Sequence, residues 1–458
     1  MSTPLVSPSP APSTRLPLPP VAPGALPLLG HAVPFRRDPL AFILRAAAAA
    51  RVTEMRLATE SAYLVREPED IERVLVGEHK KFIKDRFTHR LERALGEGLV
   101  TSEGETWRRH RRLMAPAFHH DRVAQSAAIM VDAAERAAAA MRPGEVRDIH
   151  ADMMRLTLDI VARAMFGAEV PGAAETVGRA VVAMMERFND TTLLVFPWLE
   201  RLPLPGNLRF HEAMRTLDAI VLGLVRERRA KGGSDTDLLG MLLAAQDEAG
   251  AGLSDRELRD ELMTIFLAGH ETTALALSFA FVLLSQNPAA EARLVAEIDE
   301  VLEDRTPEAV DVARLRFTHA VVLEVMRLYP PVWGIGREAL EDVSLGGYHI
   351  PRGSQLWLMQ WVNHRDPRYF PLPERFSPER WLDGLERRLP RFAYYPFGGG
   401  PRICIGNAFA TMEAVLVLAT IVRRRSVRVL GDGRPPLDPT VTLRPRGPVE
   451  ARIGARAS

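Results

Sequence analysis

Apolar residues recur along much of the chain at alternating spacings of three and four, which is the period of amphipathic helices. This pattern predicts helices in five segments: Leu40–Arg51, Arg122–Met141, Ile149–Phe166, Arg209–Arg229 and Glu291–Leu302. Strand-like segments are few and short: Glu54–Leu57, Ser61–Val65, Gln355–Met359 and Val427–Leu430. The predicted fold class is therefore mainly α with a minor β part.

A longer and more apolar helix is predicted over Asp255–Gln286. Ser254 and Glu257 form a capping-box pattern at its start. At about 1.5 Å per residue the helix is about 48 Å long, enough to cross the whole molecule. Residues 267–281 are almost wholly apolar or small, which predicts burial, yet the sequence from residue 268 reads Ala-Gly-His-Glu-Thr-Thr. Such a conflict between burial and polar residues marks a functional site.

Composition narrows the class of protein. Of the 458 residues, 47% are hydrophobic, and 59 Lys and Arg balance 58 Asp and Glu for a net charge of +1. This balance is typical of a globular protein and excludes a globally basic nucleic-acid binder. Nine of the first thirty residues are proline. We therefore expect a flexible segment over residues 1–24 and a single catalytic domain over residues 25–458.

The start of the chain has neither the basic cluster nor the apolar stretch of a signal peptide. The longest apolar runs, such as residues 414–422, are shorter than the roughly 20 residues that a membrane-spanning helix needs. These features predict a cytoplasmic protein without a membrane anchor.

A single cysteine, Cys404, excludes both an intrachain disulfide and a zinc site built from several cysteines. It lies in the glycine-rich stretch Phe397–Gly406, directly before an apolar helical run. Backbone N–H groups at a helix N-terminus and the nearby Arg402 would stabilise a thiolate. From these residues alone, the thiolate is either a metal ligand or a nucleophile.

Glu324 and Arg327 are three residues apart on a predicted helix that ends at Pro330-Pro331. The residues beside them are apolar, so we expect this ion pair to be buried rather than exposed. A buried pair needs further partners to offset desolvation, and an additional arginine would serve. His270-Glu271 is not a zinc-protease motif, because Ala274 occupies the position of the second histidine.

Taken together, these segments resemble those of the cytochrome P450 superfamily. Phe397–Gly406 matches the haem-binding pattern F-x-x-G-x-R-x-C-x-G at every fixed position, and residues 268–273 resemble the oxygen-activating segment [AG]-G-x-[DE]-T-T. Glu324 and Arg327 match the E-x-x-R pair. Pro373–Phe376 is similar to the P-E-R-F segment, and Trp107–Arg111 fits W-x-x-x-R. The resemblance covers essentially all of the chain after its proline-rich start.

The resemblance implies a cytochrome P450 fold, with a long central helix lying over haem b. Cys404 would be the axial ligand of the haem iron. The other implied haem-binding residues are Phe397, Gly400, Arg402, Gly406, Trp107, Arg111, Arg337, Ala268 and Gly269.

Further roles follow from the same resemblance. Thr272 and Glu271 would be the catalytic residues, because they would manage the protons needed for oxygen activation. Arg375 would complete a structural triad with Glu324 and Arg327. No role is assigned to His270, for which we expect a surface position or one that supports its neighbours.

The implied activity is insertion of one oxygen atom from O₂ into an apolar organic substrate, of the fatty acid, terpenoid, steroid or polyketide class. Electrons would come from a ferredoxin or flavodoxin with its reductase. We expect a monomer that binds no nucleic acid. Two alternatives are a peroxide-using haem peroxygenase, which the intact Glu271-Thr272 pair disfavours, and a non-catalytic haem- or ligand-binding protein.

A basic surface is a candidate docking site for an acidic electron donor, the alternative being a merely solvated face. Its residues are Arg108, Arg109, Arg112, Arg387, Arg388 and Arg391.

Overall fold

The structure is a computed structural model that describes residues 16–57, 60–167, 173–188, 197–231, 237–248, 250–431 and 433–456. Helices account for 57% of the chain and strands for 13%. This confirms the prediction of a mainly α protein with a minor β part.

Among the described residues, the helices of eight or more residues are Pro39–Ala47, Gly104–Met114, Ala127–Ala140, Ile149–Phe166, Ala173–Phe188, Pro205–Lys231, Asp255–Gln286, Pro288–Leu302, Arg316–Leu328 and Asn407–Arg424. The shorter α-helices are Ala32–Arg37, Pro68–Glu72, Arg86–Arg90, Glu92–Leu95, His120–Gln125, Leu238–Ala244, Gln360–Asn363 and Leu385–Arg388. Short 3₁₀ turns and one π-helical turn, Arg73–Gly77, connect them.

Two of the predicted helices have the expected bounds, Ile149–Phe166 and Asp255–Gln286. The capping box of Ser254 and Glu257 is present in both directions. The predicted helix Arg122–Met141 is instead two helices, His120–Gln125 and Ala127–Ala140, separated at Ser126.

The main sheet has five strands, β1 (Val52–Leu57), β2 (Glu60–Val65), β3 (Phe82–Lys84), β5 (Ile335–Ala339) and β8 (Gln355–Leu358). Their order across the sheet is β1-β2-β8-β5-β3. Only β2 and β8 pair in parallel in this sheet, with Val65 opposite Leu358.

Smaller sheets complete the β part. Strands β4 (Val146–Asp148), β12 (Glu450–Ala455) and β9 (Arg425–Val429) form one sheet in that order. Strands β6 (Val343–Leu345) and β7 (Tyr348–Ile350) form a hairpin. A second hairpin, β10 (Leu437–Pro439) with β11 (Leu443–Pro445), is called the C-terminal hairpin below.

The packed part of the chain begins before residue 25. The amide of His349 donates to the carbonyl of Pro17 at 2.9 Å, and the amide of Ala22 donates to the carbonyl of Glu54 at 2.8 Å. Ala22 is buried. These hydrogen bonds hold Pro17 against the β6–β7 hairpin and Ala22 against strand β1 of the main sheet.

The helix Asp255–Gln286, called the central helix below, passes through the largest hydrophobic core. It packs against Ile149–Phe166, Arg316–Leu328 and Asn407–Arg424. Among the described residues it is the one helix long and apolar enough to cross a membrane, but 83% of its most apolar window is buried inside the protein. Its apolar character is thus that of a core helix.

Candidate functional site

A cavity of about 1570 Å³ lies between the loop that carries Cys404 and the middle of the central helix. Its lining includes Cys404, Phe397 and Gly406 on the loop and Ala268, Gly269, Glu271 and Thr272 on the helix. The structure therefore brings two motifs that are far apart in sequence to opposite walls of one space.

The loop before Cys404 is shaped by close backbone contacts. Gly400 has φ +68°, and a Cβ built on it would lie 2.0 Å from the carbonyl oxygen of Leu75. Only glycine fits there. The amide of Cys404 donates to the carbonyl of Phe397 at 3.0 Å, which closes the loop beneath the cysteine.

The Cys404 side chain is exposed to the cavity although protein surrounds it. Burial raises the pKa of the Cys404 thiol, while the Gly406 backbone N–H and the charge of Arg111 act in the opposite direction. The cation near the sulfur is thus Arg111 rather than the Arg402 expected from sequence. A metal bound at the sulfur would displace the proton that burial favours.

Four cations converge on the same end of the cavity: Lys84, Arg111, Arg337 and Arg402. The guanidinium of Arg402 lies 4.5 Å from the centre of the Trp107 ring, and Arg111 Nη1 donates to the carbonyl of Ile403 at 2.9 Å. Within the described residues, the carboxylate bonded directly to this group is Glu103, which pairs with Arg402.

The described carboxylates do not balance the positive charge of these four cations. Burial, together with the nearby charge of Arg402, lowers the pKa of Arg337 to about 10 and that of Lys84 to about 7. A group that brings two carboxylates into the cavity would relieve this repulsion. The residues present therefore fit haem, whose propionates would meet the cations while Cys404 would face its iron. Lys84 was not predicted, because no motif or spacing in the sequence indicates it.

On the opposite wall, Thr272 Oγ1 donates to the carbonyl of Ala268 at 2.8 Å, one helical turn away. A Cβ on Gly269 would lie 3.3 Å from a methyl of Val161, so the glycine also lets the central helix approach its neighbour.

His270 is 1% exposed and its Nδ1 lies 2.6 Å from the carbonyl of Phe266. Of the two positions expected for His270, the supporting one is observed and the surface one is wrong.

Glu271 is buried and ion-paired with Arg444 of strand β11. Thr442 Oγ1 and Arg444 Nε both donate to Glu271 Oε1 at 2.6 Å. Sequence reasoning could not find these partners, since no local spacing connects residue 271 to residue 444.

Comparison with known sequences decides the family. Residues 19–451 match the sequence model of the family described as Cytochrome P450. This chain is a cytochrome P450. Among its relatives, cyclooctatin synthase of Streptomyces melanosporofaciens is 38% identical over 95% of this chain and 94% of its own length. Cyclooctat-9-en-7-ol 5-monooxygenase of the same species is 38% identical over 89% of both chains.

A third relative, pentalenene oxygenase of Streptomyces avermitilis, is 35% identical over 90% of this chain and 92% of its own length. As a P450, the protein is a haem-thiolate monooxygenase that uses haem b, O₂, electrons from a redox partner and an apolar organic substrate.

The structural triad of this P450 differs from the prediction at one residue. Glu324 and Arg327 are fully buried and bonded at 2.8 Å, as expected. The second arginine that reaches Glu324 is Arg380, at 3.1 Å, whereas the Arg375 side chain is exposed and that residue contributes only its carbonyl, to Arg327. The assignment of Arg375 is therefore wrong. The sequence carries P-E-R twice, at residues 373–375 and 378–380. Of the two arginine side chains, that of the second segment donates to Glu324.

The predicted basic surface is largely neutralised. Arg109 pairs with Asp247 and Glu257, and Arg112 pairs with Glu248. Arg108 and Arg391 pair with Glu105 and Glu72. Arg387 and Arg388 are exposed. Acidic neighbours thus cancel much of the positive field expected from the sequence.

Proposed function

We propose that this P450 oxygenates a terpenoid, an unsaturated hydrocarbon or its alcohol. The observation that carries the proposal is the apolar lining of the cavity that Cys404 faces, which includes Leu95, Val100, Ile265 and Val332. Such a lining holds a hydrocarbon by burial rather than by polar contacts. The relatives' names add that one acts on pentalenene and another on cyclooctat-9-en-7-ol.

The cavity has room for such a substrate beside haem. Trp333 lines the cavity and is fixed by a hydrogen bond from its Nε1 to the carbonyl of Thr440 at 2.8 Å. Trp198, in contrast, is 59% exposed and is not part of the described lining. The family resemblance also implies that Phe188, Phe196 and Trp198 line the pocket, which favours a fairly large apolar substrate, but the side chains of Phe188 and Phe196 lie outside the described residues.

Haem supplies the oxygen activation when it is bound. For the protein we propose that Cys404 holds the iron and that Phe397, Gly400 and Gly406 shape the loop around it. Arg111, Arg337, Arg402, Trp107 and Lys84 would hold the propionates. Ala268 and Gly269 would leave space beside Thr272, whose hydroxyl and the carboxylate of Glu271 would pass protons inward by general acid–base exchange.

We also propose a cytoplasmic monomer that receives electrons from a ferredoxin or flavodoxin with its reductase. The exposed Arg387 and Arg388 support docking of an acidic donor, because they are the members of the predicted basic surface for which the described residues show no ion pair. The salt dependence of electron transfer should then be weak, since only two charges contribute.

A substrate-binding screen tests the substrate class. Pentalenene, a long-chain fatty acid and a steroid are each titrated into the haem protein, and the shift of the Soret band is recorded. We expect the cyclic terpenoid to give a saturable shift at the lowest concentration. A saturable shift with the fatty acid or the steroid, and none with the terpenoid, would contradict the proposed class.

The catalytic roles are tested with Thr272→Ala. We expect an unchanged haem spectrum and substrate shift, but hydrogen peroxide in place of much of the product. If Thr272 only satisfies the backbone at Ala268, the melting temperature falls while the ratio of product to electrons consumed stays that of the wild type.

A further inference from the structure

The C-terminal hairpin connects the substrate cavity with a charged residue of the central helix. Its tip lines the cavity with Thr440, Val441 and Thr442. Hydrogen bonds from the Trp333 ring to Thr440 and from the Leu443 amide to the carbonyl of Pro331, at 2.9 Å, fix the tip in place. The hairpin is therefore part of the cavity wall and is anchored to residues 331–333.

The same hairpin holds Glu271. Two of its side chains, Thr442 and Arg444, donate to Glu271 Oε1, and they also contact each other at 3.2 Å. The Glu271 side chain is 3% exposed and that of Arg444 is 18% exposed. Among the described residues, the hydrogen bonds to Glu271 all reach Oε1, so Oε2 is left for exchange.

Two histidines lie near this ion pair, His150 with Asp148 beside it and His270 on the central helix itself. Burial lowers the pKa of both imidazoles, so they are neutral at neutral pH. Arg444 is therefore the cation that balances Glu271 among the described residues. A buried carboxylate that loses its cation takes up a proton, because an isolated buried charge is costly.

We propose that Arg444, assisted by Thr442, is the positioning residue that keeps Glu271 as a carboxylate at the cavity wall. The inference rests on the proposed role of Glu271 in proton delivery. In each cycle of exchange, Glu271 accepts one proton and passes one proton on, so it has to return to the charged form. The ion pair restores that form, and it does so from the same hairpin whose tip lines the cavity.

The charge state of Glu271 is tested directly by infrared spectroscopy on the haem protein. Difference spectra between Arg444→Gln and the wild type should show a new carboxylic-acid carbonyl band that shifts in D₂O. The band should disappear in the double variant Glu271→Gln/Arg444→Gln and should be absent in Arg444→Lys, which restores the charge. No new band in Arg444→Gln would overturn the proposal. Haem propionates are common to all samples and cancel.

Turnover provides the second readout. Arg444→Gln should lower turnover at neutral pH by about tenfold or more, a smaller effect than the roughly 100-fold or more of losing a general acid–base group outright, because the Glu271 carboxyl is still present. Its turnover should rise as pH increases, because Glu271 then loses its proton without the help of Arg444. Arg444→Lys should stay within about threefold of the wild type. As a matched control, Arg452→Gln removes an exposed arginine of strand β12 whose side chain, among the described residues, donates to the carbonyl of Gly144 alone, and it should change neither readout.

The outcomes separate this proposal from the one it rests on. If Glu271→Gln leaves turnover unchanged, the role of Glu271 in proton delivery fails. If Glu271→Gln slows turnover while Arg444→Gln matches the wild type in both readouts, only the role of Arg444 fails. Should Arg444→Gln fold poorly, Thr442→Val removes one of the bonds to Oε1 while keeping the cation, and a smaller loss of turnover in the same direction is expected.

Discussion

Two buried glutamate–arginine pairs in this P450 have the same chemistry but opposite surroundings. Glu324 accepts five hydrogen bonds, two from Arg327 and one each from the Ser377 amide, Arg380 and Trp381. The bonds to Glu271 reach one oxygen, and its pair with Arg444 lies at the edge of a cavity. A carboxylate whose oxygens are both saturated can only hold structure, whereas one with an oxygen open to a cavity can exchange a proton.

The largest effect is expected from breaking the saturated pair. Arg327 also donates to the carbonyls of His364, Pro373 and Arg375, so Arg327→Ala leaves a buried carboxylate and several carbonyls without partners. We expect a loss of about 3–5 kcal/mol in the free energy of unfolding, or failure to fold. Urea unfolding measures it, with Arg388→Ala as the control, because Arg388 is exposed and shows no ion pair among the described residues. A loss below about 1 kcal/mol would contradict the contrast between the pairs.

The isosteric change to glutamine should have different results at the two sites. Glu271→Gln should lower turnover by about 100-fold, the lower end of the range for general acid–base catalysis, with little change in melting temperature. Glu324→Gln should instead lower the melting temperature and reduce haem content. Equal losses of stability in both variants would contradict a catalytic role for Glu271 and a structural role for Glu324.

A smaller effect distinguishes the two P-E-R segments. Arg380→Ala should cost about 1–3 kcal/mol of stability, because the buried Glu324 loses a charged donor. Arg375→Ala should change stability by no more than about 0.5 kcal/mol, because that side chain is exposed. Urea unfolding of the two variants side by side measures the difference, and the reverse order would restore the assignment made from the sequence.

The last effect is a dependence of stability on pH rather than a single loss, and it concerns Lys84, a buried cation with no such carboxylate pair among the described residues. In the haem-free protein its pKa is lowered to about 7 by burial and by nearby cations, so the folded state releases a proton that the unfolded state keeps until about pH 10.5. Stability should therefore rise with pH between these values, by up to about 1.4 kcal/mol per pH unit. Lys84→Met should remove this rise in urea unfolding. A slope unchanged by the substitution would show that another group titrates.

Local pattern was enough to predict the elements and motifs of the site. The central helix has the predicted bounds because its cap and its apolar run are encoded within it. The contacts of Arg380, Lys84 and Arg444 depend on how separate segments pack, and neither period nor spacing carries that information. The choice between Arg375 and Arg380 could have been made from the sequence only by noticing the repeated P-E-R.

The contact between Gly400 and Leu75 has a consequence for dissecting the protein. Leu75 belongs to the π-helical turn Arg73–Gly77, close to the main sheet, yet its carbonyl sets the space available to the cysteine loop near the other end of the chain. A fragment that lacks the first hundred residues would keep every residue of the haem-binding motif. It would lose the Leu75 backbone against which Gly400 of that motif packs. Co-expressing the two fragments should restore haem uptake only if they associate, so the loop can report on assembly of the whole chain.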